Sequence, residues 1–267
     1  MHALDDATIG YKNKNTEGKI MKKYLFVFAL LLCVESLFGQ VLFSIAEKGD
    51  PELVQFAINA GADVNAHNDK GRTVLMLAAA NNPNPEVITT LIKAGAKLDD
   101  RNTDGWTALT YAAVFNPNPE IITTLLKAGA KLDDRDTTGT TPLMAAVFNQ
   151  NLEVITTLLN AGANVNYRDI NGMTALMWAA AHNQNPEIIT TLIKAGAEVN
   201  ARDKYDMTAL MWAAMNNQNP EVITILLKTG ADGKLKSSEG KTAFDYAKDN
   251  PKIKGTAAYW ALNDARY

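Results

Sequence analysis

The stretch Ala94-Gly95-Ala96-Lys97-Leu98-Asp99-Asp100 decides how this chain folds, because its glycine belongs to a regular series. Successive members of the series are separated by 34, 34, 33, 34 and 34 residues: Gly61, Gly95, Gly129, Gly162, Gly196 and Gly230. A fixed period of this length indicates a repeat array in which each unit is one supersecondary motif. The 267-residue sequence therefore predicts a solenoid of about seven units rather than one ordinary globular domain.

A Gly-x-Thr triplet opens most units, as in Gly71-Arg72-Thr73, and a short apolar, alanine-rich segment follows it. The threonine is a candidate helix N-cap, because its side-chain oxygen can accept a hydrogen bond from the first turn. Asp206 replaces the glycine in one unit, and aspartate tolerates a positive φ better than most residues. We therefore expect a first helix behind each triplet.

A second helix is predicted after an asparagine-proline pair, as at Asn84-Pro85. Asparagine can cap the helix, and proline fits its first position because the N–H there has no intrahelical partner. The apolar residues of 87–92 fall on one helical face. Gly95 is expected to end the helix in a left-handed conformation.

Two helices, a glycine cap and a projecting hairpin in 33 or 34 residues resemble the ankyrin repeat. Thr141-Pro142-Leu143-Met144 is similar to the family's Thr-Pro-Leu-His box, and Ala163-Asn164-Val165-Asn166 is similar to its Gly-Ala-Asp-Val-Asn tail. The resemblance covers about Val41 to Ala247 and implies an all-α ankyrin-repeat solenoid of stacked helix-loop-helix units with projecting β-hairpin loops. Because the box histidine is replaced throughout, we expect apolar packing in place of its hydrogen bond. The replacing residues are Met76, Thr110, Met144, Met177 and Met211.

The predicted units divide the chain as follows: an N-terminal capping unit at 40–70, repeats at 71–104, 105–138, 139–171, 172–205 and 206–239, and a C-terminal capping unit at 240–267. Tyr259, Trp260 and Leu262 are expected to cover the last repeat. Unit 139–171 is one residue short. Either its first helix has lost a residue, which would rotate the helical face by about 100°, or its inter-helix loop is short. We favour the short loop, because a slipped helix would misplace its buried face.

The N-terminal segment has the layout of an export signal. Residues 1–20 are polar and look like a disordered upstream extension, so we expect the true start at Met21. Met21-Lys22-Lys23 and the apolar run Tyr24–Val34 then match the charged and apolar regions of a signal peptide at 21–39. This predicts a bacterial protein that is periplasmic or secreted, without a membrane span after cleavage, since the run is shorter than the ~20 residues of a span. An uncleaved anchor, or an apolar cap helix of a cytoplasmic protein, are the alternatives.

Composition and side-chain spacing argue against catalysis, metal binding and nucleic-acid binding. The formal net charge of −3 gives no basic excess for binding nucleic acid. The histidines His2, His67 and His182 show no spacing typical of a catalytic triad or a metal site. The acid pairs Asp99-Asp100 and Asp133-Asp134 lack the alternating oxygen ligands of a calcium loop. We therefore expect no enzyme, no cofactor and no metal.

Arginines recur at the repeat period and are each followed by an aspartate or asparagine: Arg101, Arg135, Arg168 and Arg202. They could grip an acidic partner, but we favour the interpretation that each pairs with a hairpin carboxylate of its own or a neighbouring unit. Such exposed pairs contribute about 0–1 kcal/mol to stability.

The resemblance also implies where a partner binds, because ankyrin repeats use their hairpin tips and first helices, which together form the concave side. Large apolar side chains at these positions are typical interface anchors. Trp178 and Trp212 are expected to lie mainly in the core with their edges at the groove. The predicted partner contacts are Arg72, Trp106, Phe115, Phe148, Met173, Trp178, His182, Tyr205, Met207, Trp212 and Met215. We predict a monomeric, non-enzymatic scaffold that binds a protein or peptide; a periplasmic factor that protects or assembles a partner enzyme is the alternative.

Overall fold

The computed structural model describes residues 35–149 and 151–267. The predicted extension at 1–20 and most of the predicted signal at 21–39 lie outside these residues, so their assignment stays a prediction. The helices are α1 (Glu35–Lys48), α2 (Pro51–Asn59), α3 (Val74–Asn81), α4 (Pro85–Lys93), α5 (Ala108–Phe115), α6 (Pro119–Lys127), α7 (Pro142–Ala146), α8 (Leu152–Asn160), α9 (Ala175–His182), α10 (Pro186–Lys194), α11 (Ala209–Asn216), α12 (Pro220–Lys228), α13 (Ala243–Ala247) and α14 (Ala257–Ala265).

The helices form two parallel rows. The odd-numbered helices are the first helices of their units and pack on one another, and the even-numbered second helices do the same. In α3 every residue from Val74 to Ala80 is buried, because alanine side chains let neighbouring first helices approach closely. The second helices bury only one face, as in α4, where Val87, Ile88 and Leu91 are buried. The predicted all-helical solenoid is confirmed.

Local chemistry sets the ends of the helices as the sequence predicts. The Thr73 hydroxyl accepts a hydrogen bond from the Met76 N–H, and Asn84 caps α4 with Pro85 at the first position. Gly95 has a φ of 96°, and Asp206 has a φ of 57°. The threonine cap recurs at Thr107, Thr141, Thr174, Thr208 and Thr242.

The prediction of a short inter-helix loop in unit 139–171 is wrong, because the missing residue comes from the first helix. The N–H of Asn149 bonds to the carbonyl of Ala146, three residues back, whereas that of Asn116 in the preceding unit bonds to Ala112, four residues back. A 3₁₀ turn needs 3.0 residues instead of 3.6. The last turn of α7 therefore tightens, and the buried face is kept although the helix is shorter.

Buried asparagines at the ends of the first helices join successive units. Asn116 donates through Nδ2 to the carbonyls of Ala79 and Asn82, at 2.9 and 2.8 Å. Its Oδ1 accepts from the N–H of Asn118. Equivalent pairs of carbonyl contacts are made by Asn82, Asn149, Asn217 and Asn250. This asparagine ladder fixes the distance between neighbouring units from inside the core.

The two ends of the array are closed differently. At the N-terminal end α1 takes the place of a first helix and packs against α3. At the C-terminal end Leu262 is buried and Tyr259 packs on Phe244 with ring centroids 4.8 Å apart, as expected of a cap. Trp260 joins this packing less closely than predicted, because its ring centroid lies 5.2 Å from that of Tyr259 but the side chain is 57% exposed. The cap therefore needs only one face of α14.

Candidate partner-binding surface

One aspartate or asparagine organises each of five hairpin tips. At the tip that joins unit 139–171 to unit 172–205, Asp169 accepts through Oδ1 from the N–H groups of Asn171 and Met173, at 2.7 and 3.0 Å. The same two contacts are made by Asn68, Asn102, Asp136 and Asp203. Adjacent tips are also joined, because the Lys204 N–H donates to the Asn171 carbonyl at 2.9 Å. The tips therefore form a fixed row along the array.

Sequence reasoning missed this role of the tip residue and considered these aspartates only as partners for arginine. The spacing Asx-x-x-Gly-x-Thr was the available signal. An aspartate or asparagine side chain commonly bonds the backbone N–H two residues on.

Two tryptophan side chains donate hydrogen bonds to the second carboxylate oxygen of a tip aspartate. The indole N–H of Trp178 donates to Asp169 Oδ2 at 3.1 Å, and that of Trp212 donates to Asp203 at 3.0 Å. Both rings are half-buried and pack against the core, as predicted. Their polar edges are satisfied by the protein, so it is their faces and apolar edges that border the surface.

An aromatic cluster stands in unit 105–138. The ring centroids of Trp106, Tyr111 and Phe115 lie 5.4 to 6.2 Å apart. The Tyr111 hydroxyl accepts from Asn102 Nδ2 at 2.9 Å, and burial raises the pKa of Tyr111. Phe115, at the end of α5, remains 54% exposed.

A second cluster bridges two units. Phe148 from unit 139–171 meets Trp178 and His182 from the next unit, with ring centroids 5.5 to 5.9 Å apart. His182 stacks on Trp178, and burial lowers the pKa of His182. Phe148 is 50% exposed. The cluster therefore presents an apolar edge to solvent.

A groove of about 570 Å³ lies between the two clusters. Trp106 lines one side and Trp178 lines the other, together with Phe148 and Ile170. Its volume falls within the range of ligand-binding clefts in proteins, roughly 300–1,000 Å³. The structure thus brings Trp106, Phe148 and Trp178 together, as three of the predicted contact residues.

The other predicted contacts are more dispersed. Tyr205 is 59% exposed at its tip. Arg72, Trp212 and Met215 are half-buried.

The expectation that Met173 and Met207 are exposed anchors is wrong. They are only 6% and 4% exposed and belong to the continuous hydrophobic core. The stacked hairpins enclose their flexible side chains, which gain more from burial than from exposure.

The arginines mainly pair with carboxylates, as favoured from the sequence. Arg135 differs, because its guanidinium lies 4.5 Å from the ring centroid of Tyr167. The other three arginines form the ion pairs Arg101–Asp134, Arg168–Glu198 and Arg202–Asp206.

The acid pairs considered for calcium also have partners. Asp99 pairs with Lys131 at 2.9 Å, and Asp100 lies 3.6 Å from His67. Across residues 35–149 and 151–267, no group of three or more His, Cys, Asp or Glu side chains could hold a metal ion. In the same residues, none of the helices has the length and apolar character needed to cross a membrane.

Comparison with known proteins agrees with this architecture. The family model described as Ankyrin repeats (3 copies) matches residues 42–136, 113–203 and 180–255. The crystal structure of the human ASB11 ankyrin repeat domain is similar in fold, with a TM-score of 0.73 and 24% identity over 84% of this chain and 96% of that one. No curated protein sequence matches. Ankyrin repeats are general protein–protein interaction domains, and no catalytic family is indicated. This chain belongs to the ankyrin-repeat family.

Proposed function

We propose that this chain is a non-enzymatic scaffold that binds a protein or peptide through its hairpin face, the surface formed by the hairpin tips and the first helices. The observation that carries the proposal is the uneven distribution of exposed apolar groups. Phe115, Phe148, Ile170 and Tyr205 are all at least half exposed and lie on tips or at the ends of first helices. The second helices α2 to α12 carry no large exposed hydrophobic side chain among the described residues.

The concentration of exposed apolar side chains on the hairpin face is not explained by the requirements of folding. Polar residues at the same positions would serve folding equally well, because caps, tip aspartates and the asparagine ladder already fix the frame. Exposed aromatic groups that surround a groove are the usual anchors of protein interfaces, where a few such residues supply most of the binding energy. The hairpin face is therefore the expected contact surface.

The test is selection of peptide ligands from a display library on the purified protein, followed by affinity measurements on the selected peptides. The variant Phe115→Ala/Phe148→Ala/Tyr205→Ala removes three exposed rings from the hairpin face. The matched control, Trp260→Ala/Tyr267→Ala, removes two rings from the C-terminal cap that are 57% and 80% exposed.

We expect the hairpin-face variant to bind about tenfold more weakly or worse, since losing one anchor typically costs more than about 1 kcal/mol. The control should stay within about twofold of the wild type. Circular dichroism should show unchanged helix content in both. Equal affinities in the wild type and the hairpin-face variant would show that partners bind elsewhere.

Export is a second part of the proposal. Met21-Lys22-Lys23 followed by Tyr24–Val34 supports a cleaved signal, and residues 40–267 contain no cysteine, which suits an oxidising compartment. Fractionation of the producing cells, with N-terminal sequencing of the mature protein, should find a start near Gln40 in the periplasm or medium. A mature protein that begins within residues 1–20 would overturn this assignment.

A further inference from the structure

One position of the first helix carries a ring in most units. It is the fourth residue after the capping threonine: Leu77, Tyr111, Ala145, Trp178, Trp212 and Tyr246. Each of the four rings bonds to the tip residue nine positions earlier, at the end of the preceding unit, with distances of 2.9 to 3.1 Å. Those tip residues are Asn102, Asp169, Asp203 and Ser237. The rings thus form a column along the hairpin face.

Unit 139–171 interrupts this column, because Ala145 has no ring to offer Asp136, the tip residue nine positions earlier at the end of the preceding unit. The groove lies at this interruption. Ala145 and Thr140 are part of its lining, and the walls are Trp106 from one neighbouring unit and Trp178 from the other. Oδ2 of Asp136 accepts instead from the indole N–H of Trp106, at 3.1 Å. The groove therefore lies beside the one position where a ring is missing between two units that carry one.

The rim of the groove is acidic. Asp104, Asp136 and Asp169 line it, and no lysine or arginine does. Asp136 and Asp169 accept hydrogen bonds from neutral backbone and indole groups. In the part of the chain that the structure describes, none of the three carboxylates takes part in an ion pair. A cation beside the groove would meet the exposed carboxylate of Asp104 and the half-buried carboxylate of Asp136. Asp169 is only 7% exposed and adds to the negative potential without direct contact.

We propose that this groove takes one aromatic side chain of an extended peptide segment, with a lysine or arginine next to it in the peptide sequence. The aromatic side chain lies in the groove beside Ala145, between Trp106 and Trp178. The adjacent basic side chain lies at the carboxylate rim. This inference rests on the proposed peptide-binding function and deepens it by naming the chemistry of the ligand.

The first test uses three blocked dipeptides as probes: acetyl-Trp-Lys-amide, acetyl-Ala-Lys-amide and acetyl-Trp-Glu-amide. Each is titrated into the isotope-labelled full chain while NMR follows the indole N–H signals of Trp106 and Trp178. The Trp-Lys probe should shift both signals in a saturable way. The Ala-Lys probe should shift neither, and the Trp-Glu probe should bind about fivefold more weakly, as loss of an exposed charge contact implies.

Added salt should reduce the difference in affinity between the Trp-Lys and Trp-Glu probes, because salt screens interactions between exposed charges. If the Ala-Lys probe shifts the two indole signals as much as the Trp-Lys probe does, the groove does not select an aromatic side chain. Equal affinity for Trp-Lys and Trp-Glu would exclude the acidic rim as a recognition element.

The second test fills the groove from inside. Ala145→Trp places in the groove lining the ring that Trp178 and Trp212 supply in their units. We expect this variant to keep its helix content and to lose at least about tenfold in affinity for the Trp-Lys probe. Leu77→Trp is the matched control, because it adds the same ring to the same column outside the groove lining, and it should stay within about twofold of the wild type.

If the tryptophan variant does not fold, Ala145→Leu replaces it, because unit 71–104 carries leucine at this position. This variant should also lower the affinity for the Trp-Lys probe. If Ala145→Trp retains probe binding while the hairpin-face variant loses its selected peptides, the ring-slot inference is wrong and the scaffold function stands. If both variants bind as the wild type does, both proposals fail.

Discussion

Unit 172–205 carries a full-length first helix with Trp178 on its surface, whereas unit 139–171 carries a shorter helix with Ala145 at the same position. Both helices nevertheless begin at a threonine cap and are followed by an asparagine of the ladder, either the buried Asn149 or the half-buried Asn183. The two units thus share a frame and differ in surface. Capping and buried amides hold the array together, while the residues between them are free to make a groove or to fill one.

The shorter helix also changes the joint between these two units. Asn116 and Asn149 each contact two carbonyls of the preceding unit, whereas among the residues that the structure describes Asn183 contacts one, that of Val147. The last turn of α7 is the turn that has tightened. Among the described residues, the asparagine ladder therefore has its fewest carbonyl contacts directly beside the groove.

The largest expected effect tests this difference in the ladder. Asn116→Ala leaves two buried carbonyls and the N–H of Asn118 without their partner, and we expect a loss of about 3 kcal/mol in the free energy of unfolding. Asn183→Ala leaves one carbonyl fewer without its partner, so the loss in the free energy of unfolding should be roughly half as large. Urea unfolding followed by circular dichroism measures both.

The exposed Asn81, which bonds only within α3, provides the control, and Asn81→Ala should cost no more than about 0.5 kcal/mol. A loss in Asn183→Ala as large as that in Asn116→Ala would show that the joint is not weakened.

The hairpin tip that joins unit 139–171 to unit 172–205 provides the next largest effect. Asp169→Ala removes the acceptor of two backbone N–H groups and of the Trp178 indole, so we expect a loss of about 2 kcal/mol. Asp169→Asn keeps an oxygen for the backbone, as Asn102 does in its unit, but cannot accept from the indole, and it should lose about 1 kcal/mol. Thermal and urea unfolding measure the order of the two losses. Equal losses would show that the indole contact adds nothing.

The frame could be predicted from the sequence because its signals are local. A threonine cap, the Asn-Pro start of a second helix and a glycine at positive φ each follow from the chemistry of one or two residues. Asp206, with its φ of 57°, shows that even the exception to the glycine pattern could be predicted.

The rest could not be predicted because it depends on neighbouring units. The tightened turn of α7 compensates for a lost residue only through the position of Asn149 against the preceding unit. Met173 and Met207 occupy tip positions, yet adjacent hairpins enclose them. The groove exists because Ala145 stands between Trp106 and Trp178, which come from units on either side. Contacts of this kind have no local pattern.

The smallest expected effect compares the two aromatic clusters, because Phe115 in one corresponds to His182 in the other. Burial lowers the pKa of His182, so the folded protein binds that proton more weakly than the unfolded chain does. This contribution to stability is present above the unfolded pKa of about 6.5 and is lost as the pH falls through the lower pKa of the folded state. The wild type should therefore lose more stability between about pH 7.5 and pH 5 than His182→Phe does.

Urea unfolding at the two pH values measures the difference, and subtraction of the variant removes the contribution of the other titrating groups. The reverse change, Phe115→His, should introduce the same pH dependence into the first cluster, since the imidazole would then meet Trp106 and Tyr111. If the wild type and His182→Phe lose equal stability on acidification, the stacking of His182 on Trp178 does not distinguish its neutral from its protonated form. The two clusters would then differ in composition but not in their response to pH.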